Sequence, residues 1–150
     1  MQKRNALLTN LLDSNIHENN IKVFLQKLSE EELLIPFYNN HLIELYTNNN
    51  VYYIPLFTDE EQVIGIEYTR LDKVKLDVVI RDIYSSGKYY AININPFTHD
   101  FILNKKIISL LQNIFYTKMQ IGTYNKRCLS FDSIDIVFVI WYNNNGGSYE

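Results

Sequence analysis

The chain has 150 residues, a formal net charge of −3 and 47% hydrophobic residues. That length suits one domain, which at this size buries about 70% of its unfolded surface without help from metals or cross-links. A single cysteine, Cys128, excludes an internal disulfide and a thiolate metal cage, and the densest basic clusters, Lys105-Lys106 and Lys126-Arg127, are too small to track a nucleic-acid backbone.

In chain order, Gln2 to Leu12 reads as a short helix with Leu7, Leu8, Leu11 and Leu12 on one side. Asn10 and Asp13 interrupt this start too early for a secretory apolar core. No apolar run approaches the ~20 residues of a membrane span, so the chain is expected to be cytoplasmic. Ile21, Phe24, Leu25 and Leu28 follow the spacing of one buried helical stripe. Leu33 to Tyr38 reads as a strand, with Pro36 favouring an edge or a strand end. His41 to Thr47 and Val51 to Phe57 form a hairpin across Asn48-Asn49-Asn50, because asparagine tolerates positive φ.

At Thr58 the pattern changes. Thr58 with Glu61 three residues on has the form of a capping box, and Asp59, Glu60 and Glu61 suit the positive end of a helix dipole. The spacing predicts a helix reaching Ile64 or Tyr68, weakened by Gly65. Val74 to Leu76 reads as a short strand, and Leu76, Val79, Ile80, Ile83 and Tyr84 as a helical stripe closed by Gly87 at the C′ position. Lys88 to Asn95 is a strand in which Tyr90, Ile92 and Ile94 share a face, stopped by Pro96. Ile107, Leu110, Leu111, Ile114 and Phe115 mark a further helix with Asn104 as N-cap. Ile134 to Tyr142 is apolar at nearly every position and suits a strand covered on both faces, and Gly146-Gly147-Ser148 reads as a frayed tail.

These elements predict a single α/β (α+β) domain over residues 1–150, with a mixed, mostly antiparallel sheet of about five or six strands flanked by helices. The order helix, Leu34-Ile35-Pro36 strand, hairpin, Pro55-Leu56-Phe57-Thr58-Asp59-Glu60-Glu61, helix, Ile92-Asn93-Ile94-Asn95-Pro96 and helix resembles the SseB N-terminal domain family. The likeness covers roughly residues 17–115, with 116–150 as an extension ending in a core strand; Phe97 stands where a small residue often follows the Asn-Pro. The resemblance implies a bacterial α/β domain without established enzymatic activity, linked in some members to secretion. It marks Phe57, Thr58, Glu60, Glu61, Asn95 and Pro96 as motif positions and implies no catalytic residue.

The residues themselves offer little chemistry. Thr98-His99-Asp100 places a carboxylate beside an imidazole, but adjacent side chains rarely reach the geometry of a catalytic pair, and no nucleophile motif accompanies them. His17, His41 and His99 lack metal-ligand spacing, Cys128 has no identifiable partner histidine, and the five glycines form no phosphate loop. No metal and no cofactor are expected. The 12 Tyr and 8 Phe are the surplus. Adjacent pairs such as Tyr52-Tyr53 and Tyr89-Tyr90 must put one ring on each face of a strand, and such rings anchor interfaces well.

The expected function is therefore a non-catalytic protein-binding module, of which an immunity-type or secretion-accessory protein recognising a bacterial toxin or secretion component is the sharpest form. Two alternatives stand beside it: a small-molecule-binding protein or small enzyme using a cleft between the Phe57 and Asn95 turns, and a domain that self-associates through its final strand. Another protein is the expected partner, with nucleic acid and membrane excluded.

Overall fold

The computed structural model describes residues 11–12, 21–120 and 137–141. Among these, three helices of more than one turn are α1 (Ile21–Glu30), α2 (Leu76–Asp82) and α3 (Lys105–Gln120). The strands are β1 (Glu32–Tyr38), β2 (His41–Tyr46), β3 (Tyr52–Leu56), β4 (Arg70–Lys75), β5 (Tyr89–Ile94), β6 (Phe101–Leu103) and β7 (Val137–Trp141). Six of them follow the order β4-β1-β2-β3-β5-β6, and β7 pairs with β2 off that path. Only β2–β7 and β3–β5 are parallel, so the sheet is mixed and mostly antiparallel, as expected. Of the N-terminal helix predicted over Gln2–Leu12, Leu11 and Leu12 are described and helical; His17, Cys128 and the glycine tail lie outside the described residues.

Two prolines shape the middle of this sheet. Leu34 N–H donates to the Phe57 carbonyl at 2.8 Å and Phe57 N–H donates back to the Leu34 carbonyl at 2.9 Å, a single antiparallel rung between the β1 and β3 segments. The next rung would set Pro36 against Pro55, and neither has an N–H to give. The ladder therefore stops. β2 spans the gap that opens: its first residues pair with the end of β1 (Phe37↔Leu42, Tyr38↔His41) and its last with the start of β3 (Leu45↔Tyr53, Tyr46↔Tyr52). Pro36 is thus not on an edge strand, since β4 pairs with β1 from Glu32 to Phe37. The proline is tolerated because its face of the ladder is already interrupted.

All three helices cover one face. Phe24, Leu25 and Leu28 of α1, Val79 and Ile80 of α2, and Ile108, Leu111 and Phe115 of α3 join Ile35, Phe37, Ile54, Leu56, Ile92 and Ile94 in one cluster. Complete burial of a side chain such as Phe24 or Leu28 stabilises the fold by about 1.5–3 kcal/mol. The predicted α3 stripe holds except at Leu110, which is exposed while Ile108 turns inward. Asn104 caps α3 through its Oδ1, which accepts Ile107 N–H at 3.0 Å. Gly87 ends the turn after α2 at φ +84.

The opposite face carries a smaller cluster of Leu45, Tyr53 and Ala91, with Ile66, Tyr90, Phe97 and Ile102 packed against it. Each tyrosine pair divides as expected: Tyr52 and Tyr89 join the helix-side core, Tyr53 and Tyr90 the other. A register shift next to Tyr52/Tyr53 separates Tyr90 from Ile92 and Ile94, so the predicted shared face is held by Tyr89, Ile92 and Ile94 instead. Strand β4 is longer than the expected Val74–Leu76, and β6 occupies a stretch that carries no sequence signal of its own.

Candidate functional site

Strands β3 and β5 run parallel with Leu56 beside Ile94, so the chain leaves both at the same end of the sheet. There the two motif segments meet. Asn95 N–H donates to the Leu56 carbonyl at 2.8 Å, and the Asn95 side chain then locks onto Thr58. Its Oδ1 accepts Thr58 N–H at 3.0 Å, and its Nδ2 donates to Thr58 Oγ1 at 3.0 Å and to His99 Nδ1 at 2.9 Å. Because Nδ1 accepts, the neutral imidazole of His99 carries its proton on Nε2. Thr58 Oγ1 in turn donates to Asp59 Oδ2 at 3.3 Å.

This arrangement overturns the capping box. Thr58 is fully buried and its hydroxyl is committed to Asn95 and Asp59, leaving Asp59 at the N-cap position without a side-chain cap bond. The expected helix shrinks to one 3-10 turn, Glu60–Gln62. Val63 leaves helical geometry and Gly65 adopts φ +83. A tertiary partner has displaced the local one, as it can when a buried amide offers two bonds against one.

Asn95 itself sits at φ +52, a left-handed conformation that asparagine tolerates better than other side-chain-bearing residues. From it the chain folds back tightly: Thr98 N–H and Asp100 N–H both donate to the Asn95 carbonyl, at 3.1 and 2.7 Å. Asp100 accepts the Asn93 amide at 2.9 Å and Thr98 donates to Gln62 Oε1 at 2.6 Å. The carboxylate of Asp100 is thus turned to Asn93 while His99 is oriented by Asn95, so the Thr98-His99-Asp100 tripeptide forms a structural knot across two loops.

Of the six motif positions, the fold brings together Phe57, Thr58, Asn95 and Pro96, all buried, and leaves Glu60 and Glu61 exposed. The Phe57 and Asn95 turns touch directly through the 3.0 Å bonds between Thr58 and Asn95. What this end offers outward is the loop that follows. Ile64 and Tyr68 are 52% and 39% exposed; Ile64 lies between the exposed acids Glu60, Glu61 and Glu67, and Tyr68 follows the last of them. The loop is seated through Gly65, where a Cβ would lie 3.0 Å from the Phe97 ring, and through Thr69 N–H, which donates to the Phe37 carbonyl at 2.8 Å. The Phe97 ring is thus matched by a glycine opposite. That complementarity joins positions far apart in sequence, and no local signal announces it.

The other end of β3 and β5 holds a cleft of about 520 Å³. Tyr52, Tyr84, Tyr89 and Tyr90 line it with Lys88 and Lys105. Beneath it, Glu44 is fully buried, with the Lys88 ammonium 2.7 Å from its Oε2. That ammonium also lies 5.1 Å from the Tyr52 ring centre and 5.6 Å from that of Tyr89. Burial, followed by the neighbouring Glu44 carboxylate, pushes the Tyr89 phenol far above its ordinary range. Sequence reading missed Glu44, because an acid inside an apolar strand pattern looks outward-facing until its partner is known. Among the described residues no cluster of His, Cys, Asp and Glu has the makings of a metal site, and no helix is long and apolar enough to cross a membrane. Comparison with protein-family models, with curated proteins and with solved structures finds no match to the chain.

Proposed function

We propose that this protein is a non-catalytic protein-binding module whose contact surface is the loop from Glu60 to Tyr68. The observation that carries the reading is the exposure of Ile64 and Tyr68 among three acids, on a base tied down by the Thr58–Asn95 clamp and the Gly65–Phe97 contact. Exposed apolar side chains with acids nearby in the same segment suit a protein partner: the ring and methyl groups supply the affinity, and the acids orient a basic counterpart and speed its encounter. A pre-set loop also loses less conformational freedom on binding. The partner class we propose is a bacterial toxin or secretion component bearing a basic patch, the link to secretion being what the resemblance to the SseB N-terminal domain family implies.

Affinity capture from native cells, followed by mass spectrometry, tests this. The wild-type chain is expected to retain one protein in stoichiometric amount, and Ile64→Asp to lose it at an unchanged melting temperature. Equal retention by both chains, or stoichiometric recovery of a metabolite with no protein, refutes the proposal.

A further inference from the structure

A second site lies at the far end of the sheet, and its chemistry is opposite to that of the acidic loop. The charged residues lining the cleft between the β2–β3 turn, the segment Tyr84–Tyr90 and α3 are Lys88 and Lys105, with no carboxylate among them. Lys88 is spent. Its ammonium is held on the buried carboxylate of Glu44 at 2.7 Å and stands beside the faces of Tyr52 and Tyr89. Lys105 is exposed at the first position of α3 and forms no ion pair with any described residue. Its positive charge adds to that of the helix terminus, which Asn104 caps with a neutral amide.

From these placements we infer that the cleft binds an acidic segment of a partner protein, with a carboxylate on Lys105 and the neighbouring residues of that segment against Tyr52, Tyr84 and Tyr90. At about 520 Å³ the cleft is larger than one carboxylate side chain needs, so its occupant fills it with flanking residues as well. Tyrosines suit that role, because each presents a rigid ring with a polar tip and loses little rotamer freedom. Burial and then the neighbouring Tyr90 raise the Tyr84 phenol above its ordinary value of 10.0; like any tyrosine at neutral pH it is a hydrogen-bond donor to an anion. The Glu44–Lys88 pair serves as the floor: it holds Lys88 still and leaves Lys105 as the cation available to a ligand.

Selection of a random-peptide phage library on the full chain tests this site, followed by fluorescence anisotropy of the enriched peptide. The expected peptides carry Asp or Glu. Neutralising that residue in the peptide, or Lys105→Gln in the chain, weakens binding roughly tenfold, while Lys105→Arg restores most of it and Ile64→Asp leaves it unchanged. Enriched peptides without acids, peptides indifferent to Lys105→Gln, or no enrichment at all overturn the inference. So does succinate alone, if it competes at the peptide's own concentration, because that marks a small-anion pocket. None of these failures touches the acidic loop at the other end, whose test is the Ile64→Asp capture.

Discussion

Replacing Asn95 dissects the clamp between the two motif segments. Asn95→Ala removes the acceptor of Thr58 N–H in a fully buried setting, and an orphaned buried donor costs about 1–3 kcal/mol. Alanine at φ +52 adds about 1 kcal/mol of backbone strain that asparagine largely avoids. The sum, about 2–4 kcal/mol, is a large part of the roughly 5–15 kcal/mol that holds a domain folded. Asn95→Gly removes the same side-chain bonds without the strain, so it is expected to be about 1 kcal/mol milder than alanine. Urea unfolding followed by far-UV circular dichroism measures both differences. An alanine variant within about 0.5 kcal/mol of wild type refutes the clamp, and a glycine variant as damaging as alanine refutes the backbone part of the reasoning.

Three further outcomes follow from the geometry. Lys88→Met strands the buried Glu44 carboxylate and is expected to destabilise by about 2–3 kcal/mol in urea unfolding, below the full cost for a sealed pair because the lysine is partly exposed; the double change with Glu44→Leu should recover much of it. Gly65→Ala drives a Cβ into the Phe97 ring at positive φ and is expected to lower stability by about 1–2 kcal/mol, with partial rescue by Phe97→Leu. Asp77 has its carboxyl raised above the ordinary value, first by burial against weaker lowering effects from backbone hydrogen bonds and Arg81. The folded state therefore holds that proton more tightly, and the charged form penalises folding above the raised value but not below the unfolded 3.8. Asp77→Asn is accordingly expected to stabilise at neutral pH, with the gain fading as unfolding is repeated toward pH 3.8; a gain independent of pH would contradict the cause given.

The helices on the core face were legible because their apolar spacing is local, as the Phe24, Leu25, Leu28 stripe and the Asn104 cap show. The division of Tyr52-Tyr53 and Tyr89-Tyr90 between faces followed from strand alternation alone. Thr58 was misread for a physical reason. A threonine followed by acids has the form of a helix start, and only the parallel pairing of β3 with β5 brings Asn95 close enough to claim its hydroxyl. Pro36 misled in the same way, since its tolerance depends on Pro55 standing opposite, nineteen positions on by the numbering. Glu44 and Lys88 form a contact between β2 and the start of β5, which periodicity cannot see. Of the motif residues, Phe57, Thr58, Asn95 and Pro96 meet buried at one end of the sheet, and the exposed apolar side chains near them lie a few residues further on, at Ile64 and Tyr68.

Hydrogen–deuterium exchange on the captured complex puts the central claim to the test where it matters, on the position of the partner. Protection on binding is expected in the segment from Glu60 to Thr69 and to be absent in the Ile64→Asp chain. Protection that skips this loop, or a protein that captures no partner to protect it, contradicts the account.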